Sequence, residues 1–467
     1  MKTISNLSCE KLTVFSCASL NMSNNPDKSG IGPFQTEESE YLAHSLDIFT
    51  KPTKEPTLVD GKTVLHNPLN AIDVNGPIEF IIPSHSHNEY TLLPMTRLEG
   101  ELKIVNKNDG SNLAQDADVS FCNLLASSLF KQVECEINGI QINDVSTSTY
   151  AYKAYLETLL SYGKAAKDSH LGAALWIDDE KGKEDRNLIA ESSALTKRNK
   201  LIGQSKAVYF STPLHIDFFH TPRLLPPGCN LKIKMLRNED DFSLIAANST
   251  YSIKITDLKL YTRKIIVHDS IISNHDRLFD KLNAVYPIAM SQIKTFVLSS
   301  GISNQTFSNI FRGKLPRQII FGLLENDSYN GAITHNPFLF KPFNLKYVAL
   351  KKNGVMVPSS PFQPDFEKSK CVREYRHFID SIGIGHENEG NGITFKQWKT
   401  AKNLWVYDFS PDLCNSYHTH TSESGYIDLD LAFSSTLSKT AILLVYGVFN
   451  TNVYINKERY PIIEKQD

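Results

Sequence analysis

The chain has no run of basic residues, no long apolar stretch, no paired-cysteine motif and none of the common catalytic signatures. With 49 Lys and Arg against 51 Asp and Glu, the formal charge is −2 and no stripe or arm breaks the balance. A direct grip on nucleic acid is therefore disfavoured, because such binding draws on clustered cations that displace phosphate counterions. No stretch approaches the roughly 18 consecutive apolar residues of a membrane-spanning helix. Met1-Lys2-Thr3-Ile4-Ser5-Asn6 scatters polar residues where a signal peptide needs an apolar core. The seven cysteines (Cys9, Cys17, Cys122, Cys135, Cys229, Cys371, Cys414) are widely spaced, with no Cys-x-x-Cys pair, and read as reduced thiols in a cytosolic or nuclear setting. No Gly-x-Ser-x-Gly elbow, His-Glu-x-x-His helix or Walker loop occurs, which lowers the expectation of an enzyme.

What is present is core material and β-type patterning. Hydrophobic residues make up 41% of 467, and that length calls for two large domains or three modest ones. Residues 1–45 are rich in Ser, Asn and acidic side chains (Glu37, Glu38, Glu40) and read as a flexible N-terminal arm. Beyond them, one series of strands is expected at Ile78–Ile82, Leu98–Val105, Val133–Ile137, Val208–Ser211, Leu231–Met235 and Ser252–Val267. A second is expected at Thr295–Leu298, Gln318–Leu323, Tyr347–Lys351, Leu404–Phe409, Tyr426–Leu431 and Thr440–Tyr454. A helix over 269–282 divides the two, with Ile271, Ile272, Leu278, Phe279 and Leu282 near helical spacing.

The two series present the same devices in the same order. Each has an Asn-Gly hairpin, Asn138-Gly139 and Asn353-Gly354, whose two left-handed residues suit a type I′ turn. Each hairpin is followed by a short helix ending at glycine, Tyr150–Tyr162 with Gly163 and Val372–Ile382 with Gly383, where a left-handed cap is expected. An aromatic strand comes next, at Ala207–Ser211 and Trp405–Ser410, and then a glycine before an alternating strand, Gly228 and Gly425. Landmarks recurring at offsets of about 200 residues indicate a duplicated β-module, each copy burying its own interior. A hairpin, a helix and about eight strands per copy fit a jelly roll. The fold class is thus all-β: two tandem eight-stranded jelly rolls with short helices in connecting loops. The expected division is an arm at 1–45, a first roll at 46–268, a linker helix at 269–282, a second roll at 283–456 and a tail at 457–467.

Candidate chemistry is sparse. His85-Ser86-His87 with Glu89, and His418-Thr419-His420 with Glu423, have the His-x-His spacing that puts two imidazoles on one face of a strand, as in metal-binding cupins. The first pair precedes its Asn-Gly hairpin and the second follows its own, so the pairs are not duplicates of one site, and exposed loop histidines are the expectation. Gly383-Ile384-Gly385-His386-Glu387-Asn388-Glu389-Gly390 follows a helix, whereas a phosphate loop precedes one, and it reads as a solvent loop. Asp178–Arg186 mixes both charge signs and reads as a solvated insertion. No catalytic, cofactor-binding or metal-ligating residue is assigned.

Four stretches carry a resemblance. Tyr150–Gly163 running on to Lys167-Asp168-Ser169, Asn326–Gly331 with Asn336-Pro337-Phe338, Val357–Phe366, and Ser410–Cys414 resemble signatures of the Maverick/Polinton (adintovirus-like) major capsid proteins. The likeness runs in order from about Leu46 to Tyr454 and departs at the arm and near Glu180. It implies a non-enzymatic double jelly-roll subunit without cofactors, forming a homotrimer whose six barrels give a pseudo-hexameric capsomer. Such capsomers tile an icosahedral shell around double-stranded DNA, without sequence-specific binding to it and without a membrane-spanning segment. Implied partners are neighbouring capsomers, penton and minor capsid proteins; implied locations are the virion capsid and, during assembly, host cytoplasm or nucleus. The alternatives are a cupin-like or carbohydrate-binding two-jelly-roll protein and a host-retained capsid-like scaffold.

Overall fold

The computed structural model describes residues 54–72, 76–143, 148–413 and 420–464. The proposed arm at 1–45, Cys9, Cys17, Cys414 and His418 lie outside the described residues. In chain order the strands are β1 (Leu58–His66), β2 (Ile78–Ile82), β3 (Glu89–Asn106), β4 (Val119–Phe121), β5 (Phe130–Ile137), β6 (Ile140–Gln141), β7 (Val208–Pro213), β8 (Leu231–Arg237), β9 (Leu244–Ala246) and β10 (Tyr251–Val267). They continue as β11 (Ala284–Leu298), β12 (Asn304–Lys314), β13 (Gln318–Glu325), β14 (Leu345–Lys352), β15 (Val355–Phe362), β16 (Leu404–Asp408), β17 (Ser424–Phe433), β18 (Ala441–Ile455) and β19 (Pro461–Ile463).

Two sheets form the first sandwich, β1-β10-β3-β7 and β2-β8-β5-β6, with a small β4-β9 ladder beside them. The second is β11-β18-β13-β16 over β12-β17-β14-β15, with β19 added alongside β18. Counting only the strands of the principal sheets in chain order, both sandwiches read 1-8-3-6 against 2-7-4-5. The duplication inferred from landmarks is thus a duplication of topology.

Side-chain alternation explains how the sheets face each other. In β8, Leu231, Ile233 and Met235 point inward while Lys232 and Lys234 reach Glu79 and Glu134 on the wet face, at 3.1 and 3.2 Å. In β13 and over Ala441–Phe449 of β18 the alternation disappears because both faces are covered, and it resumes over Asn450–Ile455.

The hairpin tips repeat atom for atom. Asn138 and Gly139 have φ of 48° and 84°, Asn353 and Gly354 of 53° and 78°, as a type I′ turn requires. Asn138 Oδ1 accepts from the Asn230 amide at 3.0 Å, and Asn353 Oδ1 from the Tyr426 amide at 2.9 Å. A Cβ on Gly425 would lie 1.9 Å from Asn353 Oδ1, so this lock needs glycine there.

Three expectations are corrected. The helix Tyr150–Ser161 does not end at a left-handed glycine: Gly163 has φ −72° and instead leads into the short helix Lys164–Lys167. Gly383, at φ 78°, does cap Val372–Ser381 in the left-handed form. The two interiors are not separate either. One cluster of buried side chains joins Leu156, Leu159, Trp176 and Phe242 from the first half to Phe338, Ile320 and Leu444 from the second, and another joins the first sandwich to Tyr286, Ile288 and Val453. Third, β1 and β12 were not anticipated. Both are outer strands with mostly exposed side chains, and β12 breaks register between Phe307 and Phe311, so no alternation marks them.

The linker helix spans Asp269–Phe279, with the His268 imidazole accepting from the Ser270 amide as its N-terminal cap. The turn between β18 and β19 docks on it. The Arg459 guanidinium lies 3.8 Å from the Phe279 ring centroid and 3.3 Å from Asp276, and donates to the Pro227 carbonyl at 3.0 Å. The Arg459 carbonyl accepts from Asn138 Nδ2 at 2.9 Å. The last strand pair is thereby fastened to the linker and to the hairpin tip of the first sandwich.

Candidate functional site

The chemically distinctive region is the seam where the first sandwich meets the second. Helix Tyr150–Ser161 lies there because its tyrosines and leucines leave few polar positions; eight of its twelve residues are buried. Tyr155 stacks on Phe338 with centroids 4.1 Å apart and planes 3° apart, and Tyr152 stacks on Tyr329 and meets Phe338 and Phe242 edge-on. Two of the stretches that carry the sequence resemblance, Tyr150–Gly163 and Asn336–Phe338, are therefore in contact with each other.

A polar knot interrupts this apolar seam. Lys153 Nζ sits 2.6 Å from Asp217 Oδ1 and 3.9 Å from Glu157. Glu157 Oε2 is 2.7 Å from His215 Nδ1, and its Oε1 accepts from the Tyr446 hydroxyl at 3.0 Å. Asp217 Oδ2 accepts from the Ser291 amide at 2.9 Å. Burial works against an ionised Glu157, but Lys153 and the hydrogen bond to His215 outweigh it and hold the carboxyl down at about 2.

Lys167 is buried and donates to the carbonyls of Leu159 at 2.7 Å and Asn391 at 2.6 Å, bridging the two halves. Burial, reinforced by Lys402, lowers its ammonium to about 7.

The charged loop Asp178–Arg186, expected to be solvated, is partly built into the seam. Asp179 and Glu184 are buried, Arg198 is fully buried 2.7 Å from Asp179, and Asn336 Nδ2 donates to the Glu184 carbonyl at 3.2 Å. A mixed-charge run looks solvated in sequence, because nothing local says that Asp179 will face Arg198, 19 residues on, or that the Glu184 carbonyl will meet Asn336, 152 residues on.

His85 and His87 are exposed in the β2–β3 loop, and His87 pairs with Asp276 at 3.3 Å. His420 lies 3.0 Å from Asp412, while Glu423 pairs with Lys352 at 2.9 Å. Among the described residues no three His, Cys, Asp or Glu side chains are grouped to hold a metal. Cys122, Cys135, Cys229 and Cys371 are buried free thiols, all pushed up by burial. Two shallow, open clefts of about 440 and 460 Å³ are lined by Lys341, His335 and Glu325, and by Thr306, Tyr347 and Asp430. Neither has the enclosed, largely apolar form of a small-molecule site. No described helix is long and apolar enough to cross a membrane.

The same 1-8-3-6 and 2-7-4-5 order in both halves fixes the architecture, and known structures share it. A chain of the Sputnik virophage superposes with a TM-score of 0.62 at 11% identity, covering 95% of this chain and 94% of that one. PBCV-1 VP54 gives 0.57 at 13% identity, covering 89% and 99%, and the Faustovirus major capsid protein gives 0.53 at 11%, covering 89% and 93%. This chain has the double jelly-roll fold. At such identities the likeness is one of fold. An uncharacterized Caenorhabditis elegans protein is 26% identical over 426 residues, covering 88% of this chain and 99% of that protein. No family model matches the sequence.

Proposed function

We propose that the chain is a structural major capsid protein of the Maverick/Polinton type, without catalytic activity. The repeated strand order carries this reading. Two equivalent rolls per chain, taken three times about a threefold axis, present six similar barrels and pack a hexagonal lattice. The fold likeness to the Sputnik virophage and PBCV-1 structures and the four resembling stretches support it. So do the outer strands of the sheets, which carry exposed apolar side chains: Val59 and Leu65 on β1, Tyr209 on β7, Val297 on β11 and Val355 on β15. Exposed apolar strand edges are liabilities in a monomer and contact surfaces in an assembly.

On this reading the homotrimer tiles an icosahedral shell in the virion, meets penton and minor capsid proteins, and encloses double-stranded DNA without reading its sequence. Assembly takes place in host cytoplasm or nucleus. Subunit contacts should bury on the order of 2,000 Å² or more each. Light scattering on purified protein tests it: trimers or larger particles are expected, and a monomer at every salt and pH would overturn it. A second reading, a capsid-like scaffold retained by a host genome, is favoured by the nematode relative. Imaging of expressing cells separates the two, since a scaffold would work without closed particles.

A further inference from the structure

The seam is held by two unlike kinds of contact. The aliphatic packing around the stack of Tyr155 on Phe338 is non-directional, and a flat stack can slide in its own plane, so this part of the seam tolerates small shifts of one roll against the other. The polar knot does not. Its charged groups belong to the first roll, Lys153 and Glu157 on one helix and His215 and Asp217 on the segment after β7. The groups that donate to its carboxylates belong to the second, the Ser291 amide on β11 and the Tyr446 hydroxyl on β18. Ser291 also donates its hydroxyl to Asp217 at 3.1 Å. These bonds meet distance and angle limits at one offset only. A slip of one residue along β11 carries the Ser291 amide to the other side of the strand and leaves two largely buried carboxylates short of donors.

Burying ions is a poor way to gain stability, since an apolar set of similar volume commonly does as well; its better-attested use is to specify one arrangement among several. We propose that the Lys153–Glu157–His215–Asp217 knot, closed by Ser291 and Tyr446, is an orientation lock that fixes the angle between the two rolls and stabilises the chain no more than an apolar set of similar volume would. Its consequence for shells rests on the capsid reading: a fixed inter-roll angle sets the angle at which successive copies meet.

The test is made on the full chain. Spin labels are placed on the first roll at Asn108→Cys and on the second at Ser435→Cys, both exposed and outside the outer strands, with Cys9, Cys17 and Cys414 changed to serine. The inter-label distance distribution is then compared with that of a chain carrying Lys153→Met, Glu157→Leu, His215→Leu, Asp217→Asn and Tyr446→Phe. The expected result is a distribution about twofold or more wider at a nearly unchanged unfolding midpoint. An unchanged width overturns the proposal, and so does a lowered midpoint at unchanged width, which marks the knot as a stabiliser. Should the fivefold variant not fold, the pair Lys153→Met and Asp217→Asn is read the same way. Particle imaging stands apart: wild-type protein that forms no trimer or particle sinks the capsid reading while leaving the width comparison intact.

Discussion

Replacing Phe338 by alanine removes the ring on which Tyr155 lies flat and on which Tyr152 and Phe242 rest their edges. Phe338 is 2% exposed and sits in the cluster common to both rolls, so surrounding atoms have little room to close the gap. Phenylalanine-to-alanine changes at such sites cost about 3–5 kcal/mol, of which the stacked and edge contacts account for roughly 0.5–1.5 per pair. Because the lost contacts join the rolls, F338A should also uncouple them, turning one urea transition into two. Far-UV circular dichroism and tryptophan fluorescence report this together, with Trp176 at the seam and Trp398 and Trp405 inside the second roll. Tyr155→Phe is the control: its hydroxyl is buried with no partner among the described residues, so its removal should be neutral or stabilising. A single transition with a loss under about 1 kcal/mol would show that the seam is not the main coupling between rolls.

Three further outcomes are expected. Glu157 has its carboxyl held at about 2, well below the value of a free glutamate, so the stability it contributes is complete above about pH 4.5 and is lost as pH falls towards 2; Glu157→Gln should flatten that part of an acid-denaturation curve. Arg198→Ala strands buried Asp179 without its cation and should cost about 3–5 kcal/mol by urea titration, against far less for Arg186→Ala on the exposed side of the same loop. Asn353→Ala forces alanine into a left-handed turn and removes the bond from the Tyr426 amide, for a loss of about 1–2 kcal/mol, whereas Asn353→Gly should lose less; amide exchange at Tyr426 checks both.

Much of the fold was legible because its interior strands alternate. Leu231, Ile233 and Met235 against Lys232 and Lys234 announce a strand with one wet face, and Asn138-Gly139 and Asn353-Gly354 announce turns whose geometry few other residue pairs adopt. Two outer strands were not legible: six of the nine residues of β1 are exposed, and in β12 the register break between Phe307 and Phe311 interrupts the spacing of its buried side chains. The seam was half legible. Tyr152, Tyr155 and Phe338 stood inside the resembling stretches, but nothing local says that an aromatic helix face near residue 155 will meet a ring near 338. Nor does a mixed-charge run disclose that Asp179 faces Arg198 and that the Glu184 carbonyl meets Asn336, since long-range pairing is settled by topology. The His85–His87 spacing gave the opposite lesson: both side chains are exposed, and His87 pairs with Asp276.

The docking of Arg459 on Phe279, Asp276 and the Asn138 tip has a consequence for biosynthesis. A chain whose synthesis has stopped short of residue 459 has its middle helix and the foot of its first barrel unsealed, however well the earlier strands have paired. Nascent chains still on the ribosome thus differ from released ones at the surface around Phe279. A neighbour that recognises only the sealed form would join completed chains and pass over unfinished ones.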